Sequence, residues 1–408
     1  MKRPVANVSG GPMSGDRAVG TVISMKRWTL LLPAFEITGI ALFSAVYDSL
    51  DFHIYWLGGH VVTNGTSLYH ERLAGLWFTN TPFMATLFVP LAAMPLTLAR
   101  VLWQAAAFGA LAWACFLTTK LAGRRIAATV ALLLEPVWHS FFLGQVNLFL
   151  LAFVLADMHR VALGRPAGIG IGIATAIKLT PGIFVVLLLL TRRTRDAVTA
   201  FCTFAACTLL AYAIAPDASR IYWLHTFFDT SRVGVPYISN QSPYGALARI
   251  LHGTAEIGVW YPAIPLTIGA AGLAIAVLWA RRGDWLSATA VTGVTGLLVS
   301  TISWAHHWVW VVPLLAVLVR DGHRKTAIAC GAIFVLSPLW WTPHNGDPRE
   351  YGLHLLTPVA NCYLVAGIYF LVHMAVHLRR PPDHRIGGAP VISPRRAGQY
   401  AEYRLTGG

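Results

Sequence analysis

Apolar stretches close to the length of a bilayer crossing recur along this chain, at 28–47, 101–118, 126–143, 196–215, 260–280, 285–303 and 355–377. About 20 residues of helix span the hydrocarbon, where no water is present to bond a backbone amide, so backbone groups there must be satisfied within helices or a closed barrel. Runs of this length predict an all-α, polytopic integral membrane protein. Charge content agrees: 12% of the 408 residues are charged and 56% are hydrophobic, whereas soluble domains carry about a quarter charged.

The formal net charge of +14 would suit a nucleic-acid binder, but the bases sit in short blocks between apolar runs: Lys26-Arg27, Lys120 with Arg124 and Arg125, Arg192 to Arg195, Arg281-Arg282, Arg320 to Lys325, and Arg379-Arg380. Such blocks mark cytoplasmic loops. Membrane lipid is therefore the expected partner and nucleic acid is not. With the blocks inside, four polar regions share the outer face: Asp48 and Asp51, the stretch 216–258, His306-His307, and the loop from Trp340 to His354.

Two segments interrupt the pattern. Residues 82–98 hold Pro82, Pro90 and Pro95, and 167–190 holds Lys178 and Pro181 at its middle. Proline breaks a helix, and the freed carbonyls are tolerated at membrane depth only against protein or a wet cavity. The expectation is about ten full spans plus broken or re-entrant helices. Residues 1–27 read as a Gly/Ser/Pro-rich cytoplasmic tail without a cleavage site after the first apolar run, 28–378 as one transmembrane domain, and 379–408 as a basic cytoplasmic tail. Five cysteines lack CxxC spacing, and packing explains them better than disulfides or metal. No repeat of 20–50 residues is visible.

Several polar residues stand out. Asp51, His53 and Tyr55 lie just past the first run; a helix there puts Asp51 and Tyr55 on one face. A carboxylate at the mouth of a cavity can take a proton from a hydroxyl, although Asp also caps helices. Lys178 lies in apolar "GIATAIKLTPG", where a lysine costs about 2.5–3.5 kcal/mol and so either meets an anion or snorkels. Gln145 and Asn147 in "FFLGQVNLF" suit sugar hydroxyls or phosphate oxygens as well as a neighbouring helix. "ISNQSPYG" offers Asn240 and Gln241. "TISWAHHWVWVVP" joins His306 and His307 to Trp304, and adjacent helical positions point about 100° apart, so at most one histidine readily faces a cavity. The loop from Trp340 adds His344 beside aromatic faces of the kind a pyranose stacks on.

Taken in order, "DFHIYW", "FTNTPFMATLFVPLAAMP", "LGQVN", "AIKLTPG", "SNQSPYG" and "ISWAHHWVW" make the chain similar to the polyprenyl-phosphate-mannose-dependent mannosyltransferases of glycosyltransferase family 87, a branch of the GT-C membrane fold. The likeness covers roughly 50–315. It implies transfer of mannose, with inversion, from a polyprenyl-phosphate-mannose donor to a hydroxyl of a glycolipid or lipoglycan acceptor, commonly as an α-1,2 linkage, at the outer face of the plasma membrane. Asp51 would be the base, and Lys178 with His306 or His307 would meet the departing lipid phosphate. His53, Tyr55, Gln145, Asn147, Asn240, Gln241, Trp304 and His344 would line the sugar and acceptor pocket. Asn80-Thr81-Pro82-Phe83 departs from the aromatic-proline pair of many relatives. No paired-carboxylate motif for a divalent ion is present, so no metal or other cofactor is expected. An arabinofuranosyltransferase using polyprenyl-phosphate-arabinose shares this architecture, and a lipid or solute transporter is the remaining alternative, although transporters tend to show inverted repeats.

Overall fold

The computed structural model describes residues 46–65, 67–123, 129–344 and 354–378, with the isolated positions 38, 39, 42, 349 and 351. The expected tails and nearly all of the first apolar run lie outside the described residues. Within them the chain is mostly helical, and its only sheet among the described residues is a short antiparallel ribbon, β1 (Arg72–Leu73) against β2 (Leu76–Trp77).

The helices are α1 (Leu50–Asn64), α2 (Pro82–Ala92), α3 (Leu96–Ala122), α4 (Thr129–Leu133), α5 (Glu135–Leu143), α6 (Asn147–Ala162), α7 (Ile169–Ile177), α8 (Ile183–Leu190), α9 (Thr194–Ile214), α10 (Pro216–Leu224), α11 (Pro243–Ile250), α12 (Ala263–Arg281), α13 (Trp285–Val299), α14 (Val311–Arg320), α15 (Arg324–Leu336), α16 (Thr357–Ala360) and α17 (Cys362–His377). Among the described residues, α3, α9 and α12 are long and apolar enough to cross a membrane. The fold is all-α, as expected.

The outward surface is apolar. On α9, Val198, Phe201, Leu209 and Leu210 are each more than half exposed, a surface that acyl chains solvate and water does not. Polar side chains turn inward instead. Buried α13 carries Thr289, Thr292 and Thr295, whose hydroxyls donate to the carbonyls of Trp285, Ala288 and Val291 at 2.6, 2.8 and 2.7 Å. Each threonine thus satisfies itself within its own helix, and α13 can pass through the centre of the bundle.

Both proline-marked segments are broken. Thr81 caps α2 by accepting from Met84 N at 3.3 Å, and Pro82 occupies the first turn, where a missing N–H does no harm. In 167–190 the helix stops at Ile177, Lys178 is extended (φ −150°, ψ 127°), and a 3-10 turn at Thr180–Gly182 leads into α8. Thr81 Oγ1 donates to the carbonyls of Ala176 and Ile177 at 2.5 and 3.2 Å. One break therefore supplies the hydrogen bonds that the other sets free.

The run 126–143, expected to be a single span, is divided. Leu134 is extended (ψ 127°) between α4 and α5, and Pro136 sits in the first turn of α5. Pro136 has no N–H to continue a helix from α4, and the division delivers Glu135 into the interior. At the other end of α5, Gly144 has φ +72°, and a Cβ there would overlap the Cβ of Phe52. Only glycine lets that turn lie directly on α1. Gly172 plays the matching part in α7, where a Cβ would lie 2.5 Å from the Ala200 carbonyl of α9.

Candidate active site

Asp51 stands in the first turn of α1, and Tyr55 follows one turn later on the same face. Gln145 Nε2 donates to Asp51 Oδ2 at 2.7 Å, while Gln145 Oε1 accepts from the Tyr55 hydroxyl at 2.9 Å. Tyr55 thus fixes which end of the amide faces the carboxylate. Gln145 is presented by the turn at Gly144, its own N–H donating to Ser140 O at 2.8 Å.

Two residues on, Asn147 opens α6. Its Nδ2 donates to His306 O at 3.0 Å and its Oδ1 accepts from Lys178 Nζ at 3.3 Å. Lys178 Nζ also donates to His307 Nε2 at 2.6 Å. Every hydrogen-bond partner of Lys178 among the described residues is neutral. Lys178 is held where the backbone breaks between α7 and α8.

His306 and His307 lie in a 3-10 turn, Ala305–Trp310, that enters α14. The two rings diverge, with centroids 4.8 Å apart at 81°. His307 meets Lys178. His306 faces His139 at 5.3 Å, and neither of its ring nitrogens has a hydrogen-bond partner among the described residues.

Behind His139 is a group that sequence reasoning missed. His139 Nδ1 donates to Glu135 Oε1 at 2.7 Å, Trp340 Nε1 donates to the same oxygen at 3.0 Å, and the Tyr363 hydroxyl donates to Oε2 at 3.0 Å. Glu135 is fully buried. Its signal was the Glu-x-x-x-His spacing of "EPVWHSFF" inside a run otherwise read as plain span, since residues four apart share a helix face. His344 lies at the edge of this group, its ring 5.7 Å from that of Trp340 and its Nδ1 donating to Thr342 O at 2.6 Å.

The remaining expected residues sit apart. Asn240 and Gln241 are fully buried, and their amides are committed to backbone. Asn240 Nδ2 donates to Val235 O and Thr301 O and its Oδ1 accepts from Ser303 N. Gln241 Nε2 donates to Ile238 O and Ala360 O and its Oε1 accepts from Tyr363 N. They tie 235–242 to the segment leading into the histidine turn. Trp304 is half-buried, bridged through its backbone to Asn240 and packed 6.1 Å from the Tyr237 ring. His53 turns away from Asp51 and donates to Asp48 Oδ2 at 2.9 Å, and Asp48 in turn meets Arg100 at 3.5 Å.

A cavity of about 20 Å³ lies among Asn147, Lys178, Pro181, His307 and Trp310, room for about one water. A larger one of about 390 Å³, lined by His70, Asp217, Arg220 and His225, opens near Gly65 past the far end of α1.

Residues 78–301, over half of the chain, match the family described as glycosyltransferase family 87. The chain belongs to that family. Gln145, Asn147 and Lys178 fall within the matched stretch, Asp51 precedes it, and His306 and His307 follow it. Among curated relatives of this family 87 member is a polyprenol-phosphate-mannose-dependent alpha-(1-2)-phosphatidylinositol mannoside mannosyltransferase of Mycobacterium tuberculosis, 31% identical over 375 residues, covering 83% of this chain and 86% of the relative. A polyprenol-phosphate-mannose-dependent alpha-(1-2)-phosphatidylinositol pentamannoside mannosyltransferase of the same species is 32% identical over 68% of this chain and 67% of its own length. A protein of Mycolicibacterium smegmatis named as the first is 30% identical over 75% and 78%. No solved structure matches the chain.

Proposed function

We propose that this membrane glycosyltransferase moves mannose from a polyprenyl-phosphate-mannose donor to a hydroxyl of a phosphatidylinositol-mannoside-type glycolipid, forming an α-1,2 linkage at the outer face of the plasma membrane. Residues 28–378 form the catalytic membrane domain, and both termini are cytoplasmic. The relatives' names support the donor, acceptor and linkage. The observation that carries the mechanism is the pairing of an acid with a cation across one short segment: Gln145 holds Asp51, and Asn147, two residues away, holds Lys178.

In the proposed step Asp51 takes the proton of the acceptor hydroxyl as its oxygen attacks C1 of the mannosyl phosphate. The C1–O bond to phosphate breaks and its electron pair leaves with the lipid phosphate. Attack opposite the leaving group inverts C1. The phosphate gains negative charge as it departs, and Lys178, already desolvated and fixed by Asn147 and His307, is placed to offset it. A preformed cation in a dry site stabilises developing charge strongly because it need not reorganise. His306, whose two ring nitrogens have no hydrogen-bond partner among the described residues, offers a further contact to phosphate or acceptor.

The test uses membranes holding the wild-type chain or Asp51→Asn, given labelled polyprenyl-phosphate-mannose or polyprenyl-phosphate-arabinose and a phosphatidylinositol mannoside acceptor. Expected is product from the mannose donor alone, reduced about 10²- to 10⁴-fold by Asp51→Asn at an unchanged melting temperature. Product from the arabinose donor alone would replace mannose in this reading. Full turnover in Asp51→Asn would remove Asp51 as the base.

A further inference from the structure

Three histidines converge where the transfer step has no use for them. His373 and His377 lie four apart in the last turns of α17, and His323 directly precedes α15. One ring nitrogen of each lies within 4.8 Å of the others. Ring centroids are 4.6 Å apart for His323 and His373, 4.3 Å for His323 and His377, and 4.0 Å for His373 and His377. Tyr363, which bonds Glu135, is at the other end of α17, and a helix of 16 residues is roughly 24 Å long. The cluster is therefore well removed from the Glu135–His139 group.

We propose that His323, His373 and His377 form a binding site for one divalent transition-metal ion of the zinc class, with water or a small anion in the remaining position. Histidines at i and i+4 share one helix face and present two nitrogens to one point, and His323 closes the set from the position just before α15. His377 Nδ1 donates to the His373 carbonyl at 2.8 Å, which leaves its Nε2 lone pair bare. An outer hydrogen bond of that kind orients a ligating imidazole and sets its tautomer. Zinc–nitrogen bonds of about 2.0–2.1 Å bring tetrahedral ligand nitrogens to about 3.3 Å of each other, so the three half-buried rings must close by side-chain rotation alone.

The charge around the cluster narrows the ion. Among the described residues no carboxylate belongs to it, and Asp321 is engaged by Arg320 at 2.7 Å. Arg282 bonds the carbonyl of Leu378, next to His377, and Arg324 and Lys325 follow His323. A neutral, all-nitrogen set in a basic setting disfavours magnesium and calcium, which need oxygen ligands, and favours ions with high imidazole affinity such as zinc, nickel or copper. Bound there, the ion would link the start of α15 to the end of α17.

The test uses the full chain purified on a tag without histidine, reconstituted in nanodiscs, stripped with chelator and titrated with zinc or cobalt alone. Expected is about one ion per chain, a cobalt absorption band in the visible typical of a nitrogen-rich tetrahedral site, and a rise in melting temperature with zinc. The double variant His373→Gln/His377→Gln and the single variant His323→Gln should lose the cobalt band and the zinc-dependent rise, and should keep mannosyl transfer and the metal-free melting temperature. A wild type that binds less than half an equivalent, or variants that bind zinc as well as it does, would overturn the site. Neither outcome touches the transfer mechanism, which is measured separately.

Discussion

At the scale of single residues, Gln145 holds the Asp51 carboxylate by a hydrogen bond of 2.7 Å, and the proposed role of Asp51 as base makes that bond testable. A hydrogen bond to a charged group is worth about 1.5–3 kcal/mol and a neutral one about 0.5–1.5, and 1.4 kcal/mol is tenfold in rate. Gln145→Leu, which removes the bond to the Asp51 carboxylate, should therefore lower kcat about 10- to 100-fold. Tyr55→Phe removes only the hydroxyl that orients the amide and should lower it at most about tenfold. The rank order Asp51→Asn, Gln145→Leu, Tyr55→Phe in initial-rate assays checks the relay; an equal loss in all three would mean that Gln145 and Tyr55 act by folding. Lys178 gives a different signature. Lys178→Met keeps the length of the chain and removes the charge, so donor KM and kcat should suffer while acceptor KM holds, whereas unchanged donor kinetics would leave Lys178 a snorkelling residue.

At the scale of elements, the site exists because helices end where they do. The Gly144 turn stacks the end of α5 on α1 and throws Gln145 toward Asp51. Gly144→Ala meets both an unfavourable φ, worth about 1–2 kcal/mol, and the side chain of Phe52. Its expected outcome is a kcat loss at least as large as that of Gln145→Leu together with a lower melting temperature. Glu135 is the corresponding keystone for α5, α17 and the Trp340 turn. Glu135→Ala leaves the buried Tyr363 hydroxyl and the half-buried His139 and Trp340 donors without this acceptor and should destabilise by about 1–3 kcal/mol for each group left unsatisfied, read as loss of solubilised, folded protein. Glu135→Gln keeps the shape and should fold, with lower transfer through a misplaced His139.

At the scale of the whole molecule, the apolar outer surface and the inward polar groups describe a protein solvated by lipid, and orientation is the quantity left to measure. Ser67 sits beyond α1, on the Asp51 side in the proposed topology, and Arg281 ends α12 in a basic block. In a cysteine-free background, Ser67→Cys should react with a membrane-impermeant thiol reagent in intact cells, and Arg281→Cys only after permeabilisation. The reverse pattern would put the acid and the departing phosphate on the cytoplasmic face.

The sequence alone determined the solvent. Runs of about twenty apolar residues with bases between them allow a helical membrane protein and little else, because the backbone has no other partner in hydrocarbon. It also flagged Asp51, Gln145, Asn147, Lys178 and the histidine pair, since polar groups in apolar surroundings are costly wherever they lie. Proline likewise marked the breaks near 82–98 and 167–190. Tertiary structure decided which of those groups meet. Gln145 could have served a sugar, a neighbouring helix or a carboxylate, and only the approach of α5 to α1 at Gly144 chose the carboxylate. Asn240 and Gln241 looked like pocket residues by type, but their amides close backbone bonds. Glu135 was hidden because its four-residue spacing to His139 has meaning only once Leu134 divides the run, and His323 joins His373 and His377 across 50 residues of chain. Contacts of that separation are fixed by how helices pack, and helix packing in a bilayer depends on small residues and local turns whose effect a one-dimensional pattern does not carry.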